Sequence, residues 1–496
     1  MIVKEKHPLL QRAKDSAAML PYWDKTDTIV EGYEAIKKAE EEFLPKFAAE
    51  TTPDYKVRLQ TTKFTNIYRD VLEGLASKPF QEEITLIGSD VPDELIEFCE
   101  NVDGQGNHIT AFSSLTFFNA INSAIDWIMV DYPKVERDQP MSRAAAREQG
   151  IRPYWVHVLG RNVFEVQTMM VGSKEVISYM RVLEPSDGKR PDRVRVYTRP
   201  LGGGNIVWQL YEKNEKAQKV EDQMVLIDNG TLSIDVIPFV PLITGRREGK
   251  SFKIHPVMRD AADLQVTLYQ EESALQFIKT MAGYPMLAAN GVKPEKEHDN
   301  TIKKIAVGPM KVLYSPPDGN GNHGEWKYIE PSAHSMEFLK KSIDGTKQDL
   351  RELGRQPLTA LSSQLTTVTT SIAAGKAKSA VGAWALMLKD ALENCFVLTG
   401  RYMGIDHETE VNVYTDFDNI SDTNADVDNL LQARQTGDLS QETLWFEMQR
   451  RKVLSPEFDA NKERERIINE IPSDMVLEDE LNDEDNNNDL QNDTTS

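Results

Sequence analysis

Residues 331–354 read PSAHSMEFLKKSIDGTKQDLRELG, and two stripes run through them. Met336, Leu339, Ile343, Thr346, Leu350 and Leu353 recur at spacings of three and four, the period of one face of an α-helix. Lys340, Lys347, Arg351 and Arg355 recur at spacings of seven, four and four. At about 100° per residue they form a basic stripe roughly 100° around the same helix. Ser332 is a good N-cap behind Pro331, and Gly354 supplies a stop. The predicted helix, Ser332–Leu353, is about 33 Å long at ~1.5 Å per residue. Taken alone, it is an ordinary surface helix with one core face and one charged face.

The flanking sequence changes that reading. A helix is predicted over 253–282, with Leu264, Leu268, Leu275 and Ile278 near one face and Gly283 and Pro285 ending it. Between the two helices lie short strand-like runs, YPMLAA, IKKIAV, MKVLYS and EWKYIE, separated by turn residues such as Pro316-Pro317-Asp318-Gly319. A small β module is thus bracketed by two long helices. Beyond Gly354, Pro357 blocks simple continuation, and the Ser/Thr-rich run to Thr370 reads as a loop. A largely apolar helix is expected from Ser371 to Tyr402, with Gly375 and Gly382 as kink points. EVNVYTDF is a strand, and residues 421–472 read as two helices, the second capped by Ser440.

Upstream, helical patterns cover Leu9–Met19, Thr28–Lys37, Lys63–Leu75 and Phe112–Trp127, with a further short helix in PDELIEFCE from Pro92. The texture changes at Asp126. WIMVDYP suits a strand, Ser142–Gln149 a short helix. Then WVHVLG, VFEVQTMMV, VISYMRVL, RVRVYTRP, NIVWQLYEK, MVLIDNG and VIPFVPLI follow at short intervals. Their Val, Ile, Tyr and Trp content and Gly, Asn, Asp and Pro separators predict one antiparallel meander, with Leu201–Asn205 as a hairpin turn. The fold class is α+β.

The chain has 496 residues and net charge −22, and residues 474–496 hold nine acids and no base. That tail lacks the apolar surface to offset ordering entropy and is expected to be disordered. An acidic surface argues against tight, general nucleic-acid binding, though not against nucleic acid sliding past. The two cysteines, Cys99 and Cys395, suit a reducing compartment. The N-terminus has no apolar signal region, and no apolar run is long enough to span a bilayer, so a soluble intracellular chain is expected.

No catalytic or metal motif is complete. Gly245-Arg246-Arg247-Glu248-Gly249-Lys250-Ser251 is one residue short of the phosphate loop G-x-x-x-x-G-K-[ST], whose length lets backbone amides wrap the phosphates. A turn is the better reading. Gly202–Gly204 precedes no helix and is not a dinucleotide fingerprint. The eight histidines include no short pair on one helix, so there is no zinc signature. Asp422 opens a calcium-like run, but Val427 stands where that loop needs Gly and Ala433 where it needs Glu. No enzyme, cofactor or metal site is expected.

Several strings, in order, resemble a known family. Trp23, Asp27, Gly32 and Leu44-Pro45 match its opening. Ile237-Pro238-Phe239-Val240-Pro241-Leu242, His255-Pro256, Asp263-Leu264 and Tyr269-Gln270 match the entry into its first long helix. Gly308-Pro309, Leu313-Tyr314, Tyr328-Ile329-Glu330-Pro331-Ser332 and Leu353-Gly354 match the return through its second. Gly437, Leu439, Ser440, Thr443 and Val453-Leu454 match its C-terminal segment. With the order of elements, residues 7–470 resemble a tailed-bacteriophage portal protein, the head-to-tail connector.

That resemblance implies a portal-type fold. Residues 1–252 would form a helical and β wing, 253–283 and 331–354 the two stem helices, and 284–330 the β clip. Residues 355–420 would hold the tunnel loop, the kinked wing helix and a strand, and 421–473 the crown helices; the tail 474–496 is not covered. It implies a homo-oligomeric ring, usually of twelve copies, at one capsid vertex of the virion, assembled in the host cytoplasm. Double-stranded DNA would pass through it in packaging and ejection, with no membrane and no catalysis. Implied partners are the terminase large subunit, head-completion or tail adaptor proteins, and the major capsid or scaffold protein. Lys340, Lys347, Arg351 and Arg355 of the stem, with Gln356, Leu358, Thr359 and Gln364 of the tunnel loop, would face DNA. Met336, Leu339, Ile343, Leu350 and Leu353 would pack on the neighbouring subunit. The basic stripe has a second reading, salt bridges with Glu271, Glu272 or Asp349. The alternative function is a nucleotide-hydrolysing packaging-motor subunit, which needs the intact phosphate loop that is missing here.

Overall fold

The computed structural model describes residues 6–48, 50–134, 149–200, 204–283, 286–290, 324–329, 333–355, 367–415, 430–450, 453–455 and 458–470. The chain divides into two compact units, 1–415 and 416–496. The expected helix at 142–149, the strands IKKIAV and MKVLYS, the tunnel loop, the calcium-like run and the acidic tail lie wholly or mostly outside the described residues.

The first unit mixes helices with antiparallel sheets. Helix α1 (Lys14–Glu31) is continuous and contains Pro21, where two separate helices were expected. Proline removes one backbone donor, but Met19, Tyr22, Trp23, Thr26 and Ile29 are all buried along the helix and hold it together. Gly32, at φ 94°, then separates it from α2 (Tyr33–Lys38). Helix α3 (Thr52–Thr61) was not foreseen; Thr51 caps it by accepting from the Asp54 N–H. Helix α4 (Ile67–Ala76) starts later than expected, capped by Asn66. Helix α5 (Asp93–Cys99) follows the Pro92 signal.

Helix α6 (Ile109–Ser123) stops four residues short of the expected Trp127 end. Ala124 takes a left-handed conformation (φ 70°), and strand β2 (Ile125–Asp131) begins at once. Every β2 residue but Asp131 is buried, so both faces and both edges need cover. The edges are covered by β3 (Tyr154–Val158) and β9 (Phe239–Ile243), giving a three-stranded sheet β3-β2-β9. The single meander expected from the sequence is therefore two sheets. The meander proper has five strands, β4 (Val163–Val171), β5 (Lys174–Glu184), β6 (Arg193–Thr198), β7 (Val207–Lys213) and β8 (Met224–Thr231).

One core spans both sheets. Trp127, Met129, Met180, Val182, Tyr197 and Phe239 are buried in it together with Tyr22 and Trp23 of α1. Trp155 of β3 meets Phe98, Phe112 and Phe396 edge-on at 5.5, 5.8 and 5.2 Å. Its indole N–H donates to Thr399 Oγ1 at 2.9 Å. Asp126, fully buried in β2, accepts from the Gly160 N–H (2.6 Å), Ser123 Oγ (3.1 Å) and His157 Nε2 (2.7 Å). Gly160 is required there, because a Cβ would stand 2.1 Å from the Ile125 carbonyl oxygen.

The phosphate-loop-like run forms a tight hairpin, with β10 (Arg246–Arg247) paired to β11 (Ile254–His255). Arg247 donates back to the Ser251 and Lys250 carbonyls and outward to Glu175. Short strand β1 (Thr85–Ile87) pairs with the distant Glu410–Asn412. In the second unit, residues 430–435 are helical, and helices Gln441–Arg450 and Ala460–Glu470 follow; among the described residues three helical segments stand where two were expected. Ser440 caps as expected, its Oγ accepting from the Thr443 N–H at 3.2 Å.

Candidate functional site

Helix α7 (Arg259–Gly283) leads into β12 (Met286–Asn290). That strand pairs antiparallel with β13 (Glu325–Ile329), which leads into α8 (Ala333–Arg355). The two long helices thus leave the same end of a two-stranded ribbon and pack along each other. Gly354 does not stop α8, which runs on to Arg355. Helix α9 (Thr367–Met403) begins four residues earlier than expected and passes through Gly375 and Gly382 without a break. At ~1.5 Å per residue it is about 55 Å long.

The apolar stripe of α8 faces inward. Ile343 is 3% exposed and Leu350 0%, covered by α7 and α4, while Met336, Leu339 and Leu353 are half-buried. Ile343 and Leu350 are therefore buried within this chain. Phe338 on the opposite flank is 69% exposed.

Beside the stripe, polar groups bolt the two helices together. Glu271 accepts from Ser342 Oγ (2.8 Å) and Thr346 Oγ1 (2.9 Å). Glu272 pairs with Lys347 Nζ at 2.8 Å and accepts from Thr65 Oγ1 at 2.7 Å. Lys347 is thus held inside the helix pair by Glu272 of the same chain. Lys340 and Arg351 are exposed and have no ion-pair partner among the described residues. The side chain of Arg355, and Gln356, Leu358, Thr359 and Gln364, lie outside the description.

Two further contacts, missed in the sequence, seat α7 on the body. Gln265, fully buried, accepts through Oε1 from the N–H groups of Ile67 and Tyr68 (both 3.0 Å), and its Nε2 donates to the Thr65 carbonyl (2.8 Å). It caps the start of α4 from outside. Ser273 Oγ accepts from Thr62 Oγ1 (3.0 Å) and from Arg58 (3.2 Å). Arg58 is itself forked onto Glu50 at 2.7 Å through both nitrogens, with side chains 4% and 5% exposed. The ring of Phe47 lies 4.1 Å from its guanidinium. The Arg58 hydrogen bonds hold the Glu50 carboxyl below its usual range. Burial lifts the Tyr269 phenol to about 12. A signal existed: Gln265 and Ser273 sit in register with Ala261, Ala262, Leu268 and Tyr269, at positions of α7 that a purely apolar stripe would fill.

Among the described residues no cluster of three or more histidine, cysteine or acidic side chains could hold a metal ion. No described helix is long and apolar enough to cross a membrane.

The family model of a domain of unknown function, DUF4055, matches residues 257–403, which begin at the first long helix and end with α9. No curated protein matches the sequence. Among solved structures, the chain is similar to one from the neck of a native GTA particle computed with C12 symmetry, at 12% identity and TM-score 0.39, covering 76% of this chain and 88% of that one. It is similar to another from the neck of an empty GTA particle computed with C6 symmetry, at 11% identity and TM-score 0.40, covering 80% and 92%. A third, from the virion of a native gene transfer agent particle, has 10% identity and TM-score 0.39 over 76% and 88%.

Proposed function

We propose that this chain is a portal-type subunit, copies of which close into a ring at one capsid vertex. Double-stranded DNA passes through the ring in packaging and ejection. The terminase large subunit docks on the ribbon end during packaging, and adaptor proteins replace it later. The observation that carries this reading is the helix–ribbon–helix within residues 259–355, with one helix pair leading into a β ribbon at one end and bolted to the N-terminal helices α3 and α4 towards the other. The ordered sequence strings that resemble portal proteins support it. So does the charge: an acidic chain with isolated exposed cations repels the DNA backbone and does not grip it. The alternative, a nucleotide-hydrolysing motor subunit, draws no support from Gly245–Ser251, which folds as a β hairpin and not as the turn from a strand into a helix.

Negative-stain imaging of the purified chain is expected to show rings with an axial hole; a monomer at every salt and protein concentration overturns the proposal. Charge reversal separates the cations. Lys340→Glu with Arg351→Glu is expected to leave ring yield unchanged and to lower the amount of DNA packaged. Lys347→Glu is expected to weaken the helix pair itself, because it sets two acids, Glu272 and the new one, against each other. Normal packaging by the Lys340/Arg351 variant would remove those residues from the channel.

A further inference from the structure

Strands β4 and β8 are the outer edges of the five-stranded sheet. Natural sheets blunt such edges with lysine, proline or bulges, because a bare edge recruits another strand. Here the cations Lys174, Arg181, Arg193, Arg195 and Lys213 all lie on the inner strands, while neither β4 (VFEVQTMMV) nor β8 (MVLIDNGT) contains Lys, Arg or Pro. Both edges instead expose apolar side chains. On β8, Val225, Leu226 and Ile227 are 47%, 43% and 44% exposed; on β4, Met170 and Val171 are 48% and 43% exposed. The protective devices sit beside these apolar stretches: on β8 a bulge at Ile227, where the register against β7 slips between Leu210 and Tyr211, and the Lys134–Asp228 ion pair at 2.7 Å; on β4 register shifts at Val163/Glu165 and Gln167/Thr168.

The open lengths match. Residues 13–16 cover the start of β4, through Ala13 N–H to the Phe164 carbonyl (2.9 Å) and Ser16 Oγ to the Val163 carbonyl (2.8 Å). The Gln167 carbonyl accepts from Ser178 Oγ and the Asn229 N–H donates to Asp228 Oδ1, so the stretches left for a new strand are 168–171 on β4 and 225–228 on β8.

We infer that these two edges are halves of one contact: β8 of one copy adds as a strand to β4 of the next copy, so that neighbouring five-stranded sheets join edge to edge. This rests on the ring reading above. A closed ring needs two different, complementary surfaces on each subunit, and one sheet with two bare edges supplies both. Pairing of β8 with itself would give a two-fold dimer and leave every β4 open. In the meander β4 and β8 run in the same direction, so the added pair is parallel, with strands about 4.8 Å apart.

The test uses the full chain and disulfide trapping. The native thiols, Cys99 and Cys395, are buried, so oxidation links only introduced cysteines. Leu226→Cys is combined in turn with Thr168→Cys and with Met170→Cys, two positions on one face of β4. Oxidised rings of at least one combination are expected to run as a ladder of covalent multimers on a non-reducing gel, with each single-cysteine variant staying monomeric. In parallel, Val225→Lys with Ile227→Lys is expected to abolish rings while its melting midpoint stays within a few degrees of wild type. Wild-type rings with no ladder in either combination, dimers from Leu226→Cys alone, or full ring yield from the lysine variant would each overturn the edge contact and leave the ring reading standing. A monomeric wild type would overturn both.

Discussion

Arg58→Ala is expected to lower the unfolding free energy by about 3–5 kcal/mol, the cost of leaving one partner of a buried ion pair uncompensated. The Arg58–Glu50 pair is almost wholly enclosed, and the same guanidinium donates to the Pro45 carbonyl and to Ser273 of the long helix. Urea denaturation measures the loss, and a change below about 1 kcal/mol would mean that the pair is effectively solvated. The double variant Arg58→Met/Glu50→Leu is expected to recover much of the stability, since an apolar pair of similar volume is often neutral against a buried salt bridge. The pair also sets an acid limit. Glu50 is held below the ordinary carboxylate range, so its contribution is complete above an unfolded pKa of about 4.3 and is lost as pH falls through the lower folded value. The gap between wild type and Arg58→Ala should therefore narrow below about pH 4.

Gln265→Leu is expected to cost about 2–6 kcal/mol. It leaves the N–H groups of Ile67 and Tyr68 buried without an acceptor, at roughly 1–3 kcal/mol each, and removes the donor to Thr65. Hydrogen exchange gives the local readout. Protection of the Ile67 and Tyr68 amides should fall before that of the buried strand β2. Unchanged protection at both would show that α4 does not depend on α7 for its cap. Together the two variants ask whether the helix pair is stable by itself or only where the N-terminal helices grip it.

The two faces of α8 were legible because helical period is a local property, carried by Met336 through Leu353. What covers the apolar face was not. Helix α4 lies far upstream, and no spacing within 331–354 points to it, so a stripe that packs on its own chain reads the same as one that packs on a neighbour. The strands were legible one by one for the same reason, through their β-branched and aromatic residues. Their division between two sheets was not, because the order of strands names no partners; only the burial of β2 on both faces demands β3 and β9. Helix α3 was hidden by chemistry. Its buried positions are Tyr55, Arg58 and Leu59, and an arginine in a core position breaks the apolar pattern that marks a helix face. Gly354 misled in the other direction, since a glycine tends to end helices but does not have to. Lys347 and Arg351 look equivalent in sequence, and only the position of Glu272 makes Lys347 a bolt while Arg351 has no ion-pair partner among the described residues.

Strand β1 finds its partner at Glu410–Asn412, and Trp155 finds its hydrogen-bond acceptor at Thr399. Translation runs at about 5–20 residues per second, so the earlier halves of these contacts wait roughly tens of seconds for the later ones to leave the ribosome. During that interval the aromatic cluster of Phe98, Phe112 and Trp155 lacks Phe396, its last member. Contacts of such long sequence separation close slowly and late. The nascent chain therefore presents a sticky half-core while synthesis is still under way, and the step most exposed to misassembly falls on the ribosome.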